Sequence, residues 1–346
     1  MSSTAHRASA VAVWLFAVAG LVLVMVTVGG ATRLTGSGLS ITEWQPILGA
    51  VPPLSEADWL AAFAKYRQIA QYKLVNAGMS LDGFKVIYWW EWSHRQLGRF
   101  IGLAFACPLL AFAWMGAIPR GVMPKLLGLL VLGGLQGAMG WYMVKSGLTD
   151  RVNVSQYRLA AHLSLAAVLF AGLIWIALDV VGRPRVRLQT LARGAAATSR
   201  LLIVLVLVQI ALGALVAGTN AGLSHNTWPL MDGRVVPTGV LAMSPAWLNA
   251  FENVATIQFN HRMLAYLLAA ITLWHGWRCW RTADDEHVRR SGLLLALAVM
   301  GQIGLGVWTL LLAVPLWLGL AHQALAMIVL GVAVWHRHAL GRTSQR

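Results

Sequence analysis

Four histidines recur in this chain at matched places. His94 stands in Glu91-Trp92-Ser93-His94-Arg95-Gln96-Leu97 and His261 in Gln258-Phe259-Asn260-His261-Arg262-Met263-Leu264, each opening a long apolar stretch. One hydrophobic segment later comes a second histidine, His162 after Leu159-Ala160-Ala161 and His322 after Leu318-Gly319-Leu320-Ala321. Ionisable side chains inside a bilayer are costly and mark functional sites. Neutral imidazoles on neighbouring helices can occupy both axial positions of a haem iron, and an apolar bundle accepts the macrocycle. A lone membrane histidine is more often a hydrogen-bonded packing residue; placement by an internal repeat favours ligation. One flat cofactor would then sit between the second and fourth helices and another between the sixth and eighth.

The two copies differ at one position that matters for chemistry. Glu91 lies one helical turn before His94, on the same face, where the second copy has Gln258. A carboxylate beside a porphyrin can transfer protons or position water, and its bland alternative is a helix start, where Glu complements the dipole. The asymmetry points to a reactive site in the first half, with Glu91 as its catalytic candidate, and a redox haem in the second. Arg95 and Arg262 follow the histidines directly and match propionate geometry; Arg33 and Arg99 are further candidates. Snorkelling to phosphate headgroups would explain the same arginines.

The elements that must position these residues are membrane helices. Of 346 residues, 58% are hydrophobic and 11% charged, and the mean hydropathy is +0.66, so the chain cannot coat a soluble globule. Runs of about 20 apolar residues, the length that spans hydrocarbon, occur near 10–30, 94–115, 123–144, 158–180, 199–219, 259–280, 291–313 and 317–337. This predicts an all-α integral membrane protein of eight transmembrane helices, built as two parallel-repeat four-helix bundles. Residues 1–182 form the first half, 183–198 a cytoplasmic linker and 199–346 the second half. The outer segment repeats as well: Gly36-Ser37-Gly38-Leu39-Ser40 with Trp44-Gln45-Pro46 is answered by Asn220-Ala221-Gly222-Leu223-Ser224 with Thr227-Trp228-Pro229.

A net charge of +15 excludes a nucleic-acid footprint by its placement. Arg120 and Lys125, then Arg183, Arg185, Arg187, Arg193 and Arg200, then Arg278, Arg281, Arg289 and Arg290, with Arg337, Arg342 and Arg346, all fall on one side. That is the positive-inside pattern. It places both termini in the cytoplasm and the four repeated histidines toward the outer face of a bacterial inner membrane. The two cysteines, Cys107 and Cys279, suit neither an outer disulfide nor a metal pair and read as packing residues. His275, His287, His336 and His338 fall at inner helix ends or in a basic loop, where interfacial solvation explains them; His6 belongs to a tail, and His225 is undecided.

With these residues in view, the chain resembles the heme A synthase family, in the branch of mitochondria and related bacteria that lacks outer-loop cysteine pairs. The resemblance rests on Gly29-Gly30-Ala31-Thr32-Arg33-Leu34-Thr35-Gly36-Ser37-Gly38-Leu39-Ser40, Glu91-x-x-His94-Arg95, His162, His261-Arg262 and His322. It implies oxidation of one ring methyl of haem O (C8) to a formyl group, by two hydroxylations and loss of water, for haem A biosynthesis and cytochrome oxidase assembly. It also implies a haem b cofactor held by His261 and His322, with the substrate haem O handled by the first half near Glu91, His94 and His162. Membrane lipid, the farnesyltransferase that makes haem O, a second copy of the chain, and an electron donor or acceptor that the residues do not specify are the candidate partners; nucleic acid is not. Two other readings use the same histidines: a di-haem cytochrome b moving electrons from quinol, and a non-catalytic haem carrier.

Overall fold

The computed structural model describes residues 3–45, 48–149, 151–182 and 191–341. Eight helices of 24 to 34 residues dominate it: α1 (Ser3–Leu34), α2 (Leu81–Trp114), α3 (Met123–Gly147), α4 (Gln156–Val181), α5 (Leu191–Gly218), α6 (Val254–Thr282), α7 (Glu286–Leu311) and α8 (Leu316–Ala339). No strand occurs among the described residues, where Met231 and Arg234 form an isolated bridge. All but α6 are long and apolar enough to cross a membrane, so this is a multi-pass membrane protein. α6 falls short because Thr256, Gln258, Asn260, His261, Arg262, Thr272 and His275 sit along it.

Local signals set the helix ends. Ser80 caps α2 by accepting from the Gly83 amide, Asn253 caps α6 through Thr256 and Asp285 caps α7 through Val288, each satisfying an orphan donor of the first turn. Gly182, at φ +63°, terminates α4 in the left-handed conformation that glycine adopts without a Cβ penalty.

The two largest departures from the hydropathy reading are the starts of α2 and α5. α2 begins at Leu81, not near residue 94. Its first turns are held by the segment that precedes it, where a capping box at Ser55 and Asp58 starts the helix Glu56–Tyr66. The Ser55 hydroxyl and amide hold the Asp58 carboxyl below its ordinary pKa. That helix brings Tyr66 against Phe84, Ile87 and Tyr88 of α2, so aromatic packing extends the helix where hydropathy alone does not. The second departure is the linker expected over 183–198. Residues 191–198 belong to α5, as an alanine-rich sequence favours; residues 183–190, with Arg183, Arg185 and Arg187, lie outside the described residues, as do Pro46, Arg342 and Arg346.

The core lies between α1, α4, α5 and α8. Val11, Leu15, Val18, Val22 and Val26 repeat at three- and four-residue intervals along α1 and meet Phe170, Leu173 and Ala177 of α4, with Leu202, Val206, Leu330 and Val334 from α5 and α8. The helices of each half pack around this centre, but unequally. α6 and α7 pack along one another, whereas α2 and α3 meet only loosely. Polar clamps then tie residues 1–182 to the rest. Arg33 Nη2 donates to the carbonyls of Ala217 (2.9 Å) and Gly218 (3.2 Å) and to Asn220 Oδ1 (3.1 Å). Gln323 Nε2 donates to Val26 O at 2.9 Å. Gln156 and Tyr157 both donate to the Glu252 carboxylate, at 2.8 and 2.6 Å.

Arg33→Ala removes a charged donor from three acceptors at this seam and should cost about 1–3 kcal/mol. Thermal unfolding of the purified protein in detergent reads it directly; an unchanged melting temperature would show that the seam holds without the clamp.

Candidate haem sites and the family

Each of the four repeated histidines faces a glycine on the preceding long helix. A Cβ placed on Gly29 of α1 would lie 2.7 Å from His94 Cε1; on Gly140 of α3, 3.2 Å from His162 Cε1; on Gly213 of α5, 3.3 Å from His261 Cε1; on Gly306 of α7, 2.7 Å from His322 Cε1. At Gly29 and Gly306 an alanine methyl would need the imidazole's space, and at Gly140 and Gly213 the ring would have to give by a few tenths of an ångström. The rings are half-buried. His94 and His162 lie within electrostatic reach of one another, and so do His261 and His322.

A second regularity accompanies the first. Four residues before the glycine stand Gln136, Gln209 and Gln302, on the face that meets the histidine. Gln209 Nε2 donates to His261 O (2.9 Å) and lies 3.1 Å from its Nδ1; Gln302 Nε2 does the same to His322, at 2.9 and 3.2 Å. Gln136 Nε2 lies 3.3 Å from His162 Nε2. The fourth place is different. Met25 stands four residues before Gly29, and His94 Nδ1 is buried with no hydrogen-bond partner, as is His162 Nδ1. The Gln-x-x-x-Gly signal of α3, α5 and α7 was legible in the sequence but resembles the small-residue pattern of ordinary membrane helix packing.

One end of each candidate site is built by an arginine that holds a loop. Glu91 is only 2% exposed and lies ten residues inside α2, so it does not start a helix. Its Oε2 accepts from Ser40 Oγ (2.8 Å) and the Ile41 amide (2.7 Å), and its Oε1 accepts from Arg95 Nη2 (2.5 Å). Arg95 continues to the carbonyls of Ile41 and Glu43. In the second half Gln258 Nε2 donates to Ala221 O and Ser224 O, its Oε1 accepts from Arg262, and Arg262 continues to the carbonyls of His225 and Thr227. The Glu-to-Gln difference therefore follows the loops: the first presents donors to a carboxylate, the second carbonyls to an amide.

Of the other candidates, Arg99 reaches Gln96 and the carbonyl of Gln45. Arg33 lies at the seam, and the Nε atoms of Arg33 and Arg262 are buried without a partner. His225 pairs with Asp232 through Nδ1 at 2.6 Å. Imidazoles set against glycines, two of them (His94 and His162) with an orphaned ring nitrogen, are a donor set suited to haem iron.

The cytochrome oxidase assembly protein family (COX15-CtaA) matches residues 12–334. The chain belongs to this family. It is 55% identical over 334 residues to a protein of Parvibaculum lavamentivorans named heme A synthase, covering 96% of this chain and 95% of that one. Proteins with the same name from Azorhizobium caulinodans (53% over 334 residues, 96% and 94% covered) and Chelativorans sp. (51% over 335 residues, 95% and 90% covered) are similar over the same extent.

The glycine contacts predict a graded effect. Gly306→Ala, whose methyl falls 2.7 Å from His322 Cε1, should displace its histidine more than Gly213→Ala at 3.3 Å. The absorption spectrum of each purified variant should show a larger loss of low-spin haem for Gly306→Ala. Equal, undiminished spectra from both would mean that the imidazoles do not need this space.

Proposed function

We propose that this chain is a heme A synthase, a membrane oxidoreductase that converts a ring methyl of haem O into the formyl group of haem A. The full-length identity to relatives of that name carries the activity; the distribution of labour between the halves is read from the site. His261 and His322 hold haem b in the second half. Matched glutamines fix both imidazoles there, and the close packing of α6 on α7 suits a group that stays. Haem b supplies one-electron redox chemistry when bound.

Haem O is handled by the first half. His94 and His162 are its axial candidates, and the loose packing of α2 against α3, with Gly128, Gly133, Gly134 and Gly137 of α3 touching nothing within 4 Å of their Cβ positions, gives a bulky farnesylated substrate a way in from lipid. Glu91 stands one turn from His94 on the same face. Oxidation takes the methyl through a hydroxymethyl to a geminal diol, which loses water to leave the aldehyde. Each hydroxylation and the dehydration move protons, and Glu91 is the carboxylate placed to take and return them. Arg95 and the Ser40–Ile41 loop orient it.

Residues 1–182 and 199–338 each contribute four spanning helices, with α6 included. Twenty-nine residues at about 1.5 Å each exceed the ~30 Å hydrocarbon thickness, and packing against α5 and α7 shelters the polar face of α6. An even helix count per half makes the halves parallel, with both termini cytoplasmic and the four histidines toward the outer face. Contacts with the farnesyltransferase that makes haem O, with a second copy and with an electron partner belong to this reading.

Purified protein supplied with haem O and a reductant in air should yield haem A by chromatography and mass spectrometry; haem b alone, or haem O returned unchanged, would overturn the assignment to a synthase. His261→Ala or His322→Ala should abolish the low-spin b-type spectrum. For Glu91, two variants separate chemistry from loop anchoring. Glu91→Gln should stop product, by more than about 100-fold if it is the proton-transfer group, whereas Ser40→Ala removes one anchor, keeps the carboxylate and should retain most activity. Equal losses in the two would reduce Glu91 to an anchor.

A further inference from the structure

At the inner ends of α6, α7 and α8, three side chains with ligand atoms are buried together. His275 and Cys279 are one turn apart on α6, and His336 comes from α8; they are 1%, 2% and 0% exposed. His275 Nε2 lies 2.8 Å from His336 Nε2, and Cys279 Sγ lies 3.7 Å from His275 Nε2. One ligand atom from each falls within 4.8 Å of the other two. Interfacial solvation, which their positions in the sequence suggest, does not explain groups that solvent does not reach.

The haem pairs are not the precedent for this cluster. His275 and His336 each lie fourteen residues beyond His261 and His322 on the same helices, about 21 Å deeper at 1.5 Å per residue. Yet a porphyrin iron needs its two imidazole nitrogens about 4 Å apart, at roughly 2.0 Å per bond, and a slot for the ring. Here the nitrogens are closer, and glycines close the slot: a Cβ on Gly276 would lie 3.0 Å from Gly292 O, and one on Gly292 would lie 3.2 Å from Cys279 Cβ and 3.3 Å from His336 Cε1. The space suits a single ion.

We propose that His275, Cys279 and His336 form a binding site for one Cu(I) ion, distinct from the haem sites. The ligand type is the first argument: a thiolate and imidazoles select soft or borderline metals, and no carboxylate takes part in the cluster. Geometry is the second. With bonds of about 2.0 Å to nitrogen and 2.3 Å to sulfur, a trigonal ion sets nitrogen and sulfur about 3.7 Å apart, which the Cys279–His275 pair already shows. The two nitrogens must open to about 3.5 Å, a shift of well under 1 Å. Orientation is the third. Ser291 Oγ donates to Val288 O (3.2 Å) and accepts from His336 Nδ1 (2.8 Å), which leaves the Nε2 lone pair of His336 aimed into the cluster, the second-shell arrangement that metal-ligating histidines use.

Charge selects the ion. Binding replaces the Cys279 thiol proton, which leaves to solvent at the inner face, and shifts the His275 ring proton from Nε2, where it bridges to His336, to Nδ1, so the site with thiolate, two neutral imidazoles and Cu(I) is neutral. Zn(II) would leave a buried net charge of +1 near Arg278 and would want a fourth ligand, and none completes the cluster among the described residues. A buried unpaired charge is costly.

The test uses the full-length purified protein and Cu(I) delivered from a coloured competing chelator, followed by metal analysis. Parent protein should retain one equivalent, with an X-ray absorption signature of one sulfur and two nitrogens. Cys279→Ser and His336→Ala should lose it, and Ser291→Ala, which keeps all three ligands, should weaken it about 10- to 100-fold. His94→Ala and His261→Ala should leave it unchanged. Elution profile and melting temperature establish that each variant is folded; if a ligand variant is not, Ser291→Ala decides. No retained copper in the parent, retention unaffected by Cys279→Ser or by Ser291→Ala, or preferential uptake of Zn(II) would each overturn the site.

Discussion

An imidazole inside a membrane bundle needs room and a partner, and in this protein the neighbouring helix gives both. Glycine at the point of closest approach provides the room, four times over; a glutamine one turn earlier provides the partner, three times. The rest of the architecture serves that contact. Helix pairs must run close enough for a ring to touch a backbone, which is why the core between α1, α4, α5 and α8 is built from valine, alanine and leucine, and why loops at one end are tied down by arginines rather than left to set their own position.

The Glu91 and Gln258 positions show how a duplicated frame can hold two different loops without changing its geometry. In both, an arginine four residues on bridges the side chain to two loop carbonyls. What changes is the direction of the remaining hydrogen bonds, from loop donors to loop acceptors, and a carboxylate or an amide follows. The carboxylate is thus explained structurally before any chemistry is assigned to it. Its chemical role depends on what else is true of the first half: one turn away stands the histidine without a glutamine, His94, beside Met25.

Much of this was legible in the sequence, and the failures have physical causes. Apolar runs located the long helices, and the repeat around His94 and His261 pointed to residues that the structure sets against glycines in the same way, because hydrocarbon thickness and close helix approach leave direct marks on residue pattern. The start of α2 was not legible: residues 81–93 are polar and aromatic, and they are helical because Tyr66 and its neighbours pack on Phe84 and Tyr88. The polar residues along α6 leave it as the least apolar of the long helices, although its apolar run was visible over 259–280. The buried cluster was missed because His275 and His336 stand near Arg278 and Arg337, which reads as an interface; only the approach of α8 to α6 and α7 shows that these rings are enclosed.

The asymmetry between the halves can be weighed against what each would have to do. A resident cofactor gains from every fixed ligand, since rigid imidazoles lower the entropy lost on binding and slow its escape. A substrate that must leave after conversion gains nothing from being held equally tightly before and after the reaction, because uniform binding does not lower the barrier. The half with matched glutamines and closely packed α6 and α7 meets the first requirement. Loosely packed α2 and α3, a methionine where a glutamine would grip the ring, and a carboxylate beside it meet the second. In the proposed reading, the two sets of helices divide retention from turnover through a few residues at the rim while keeping the glycine–histidine contact common to both.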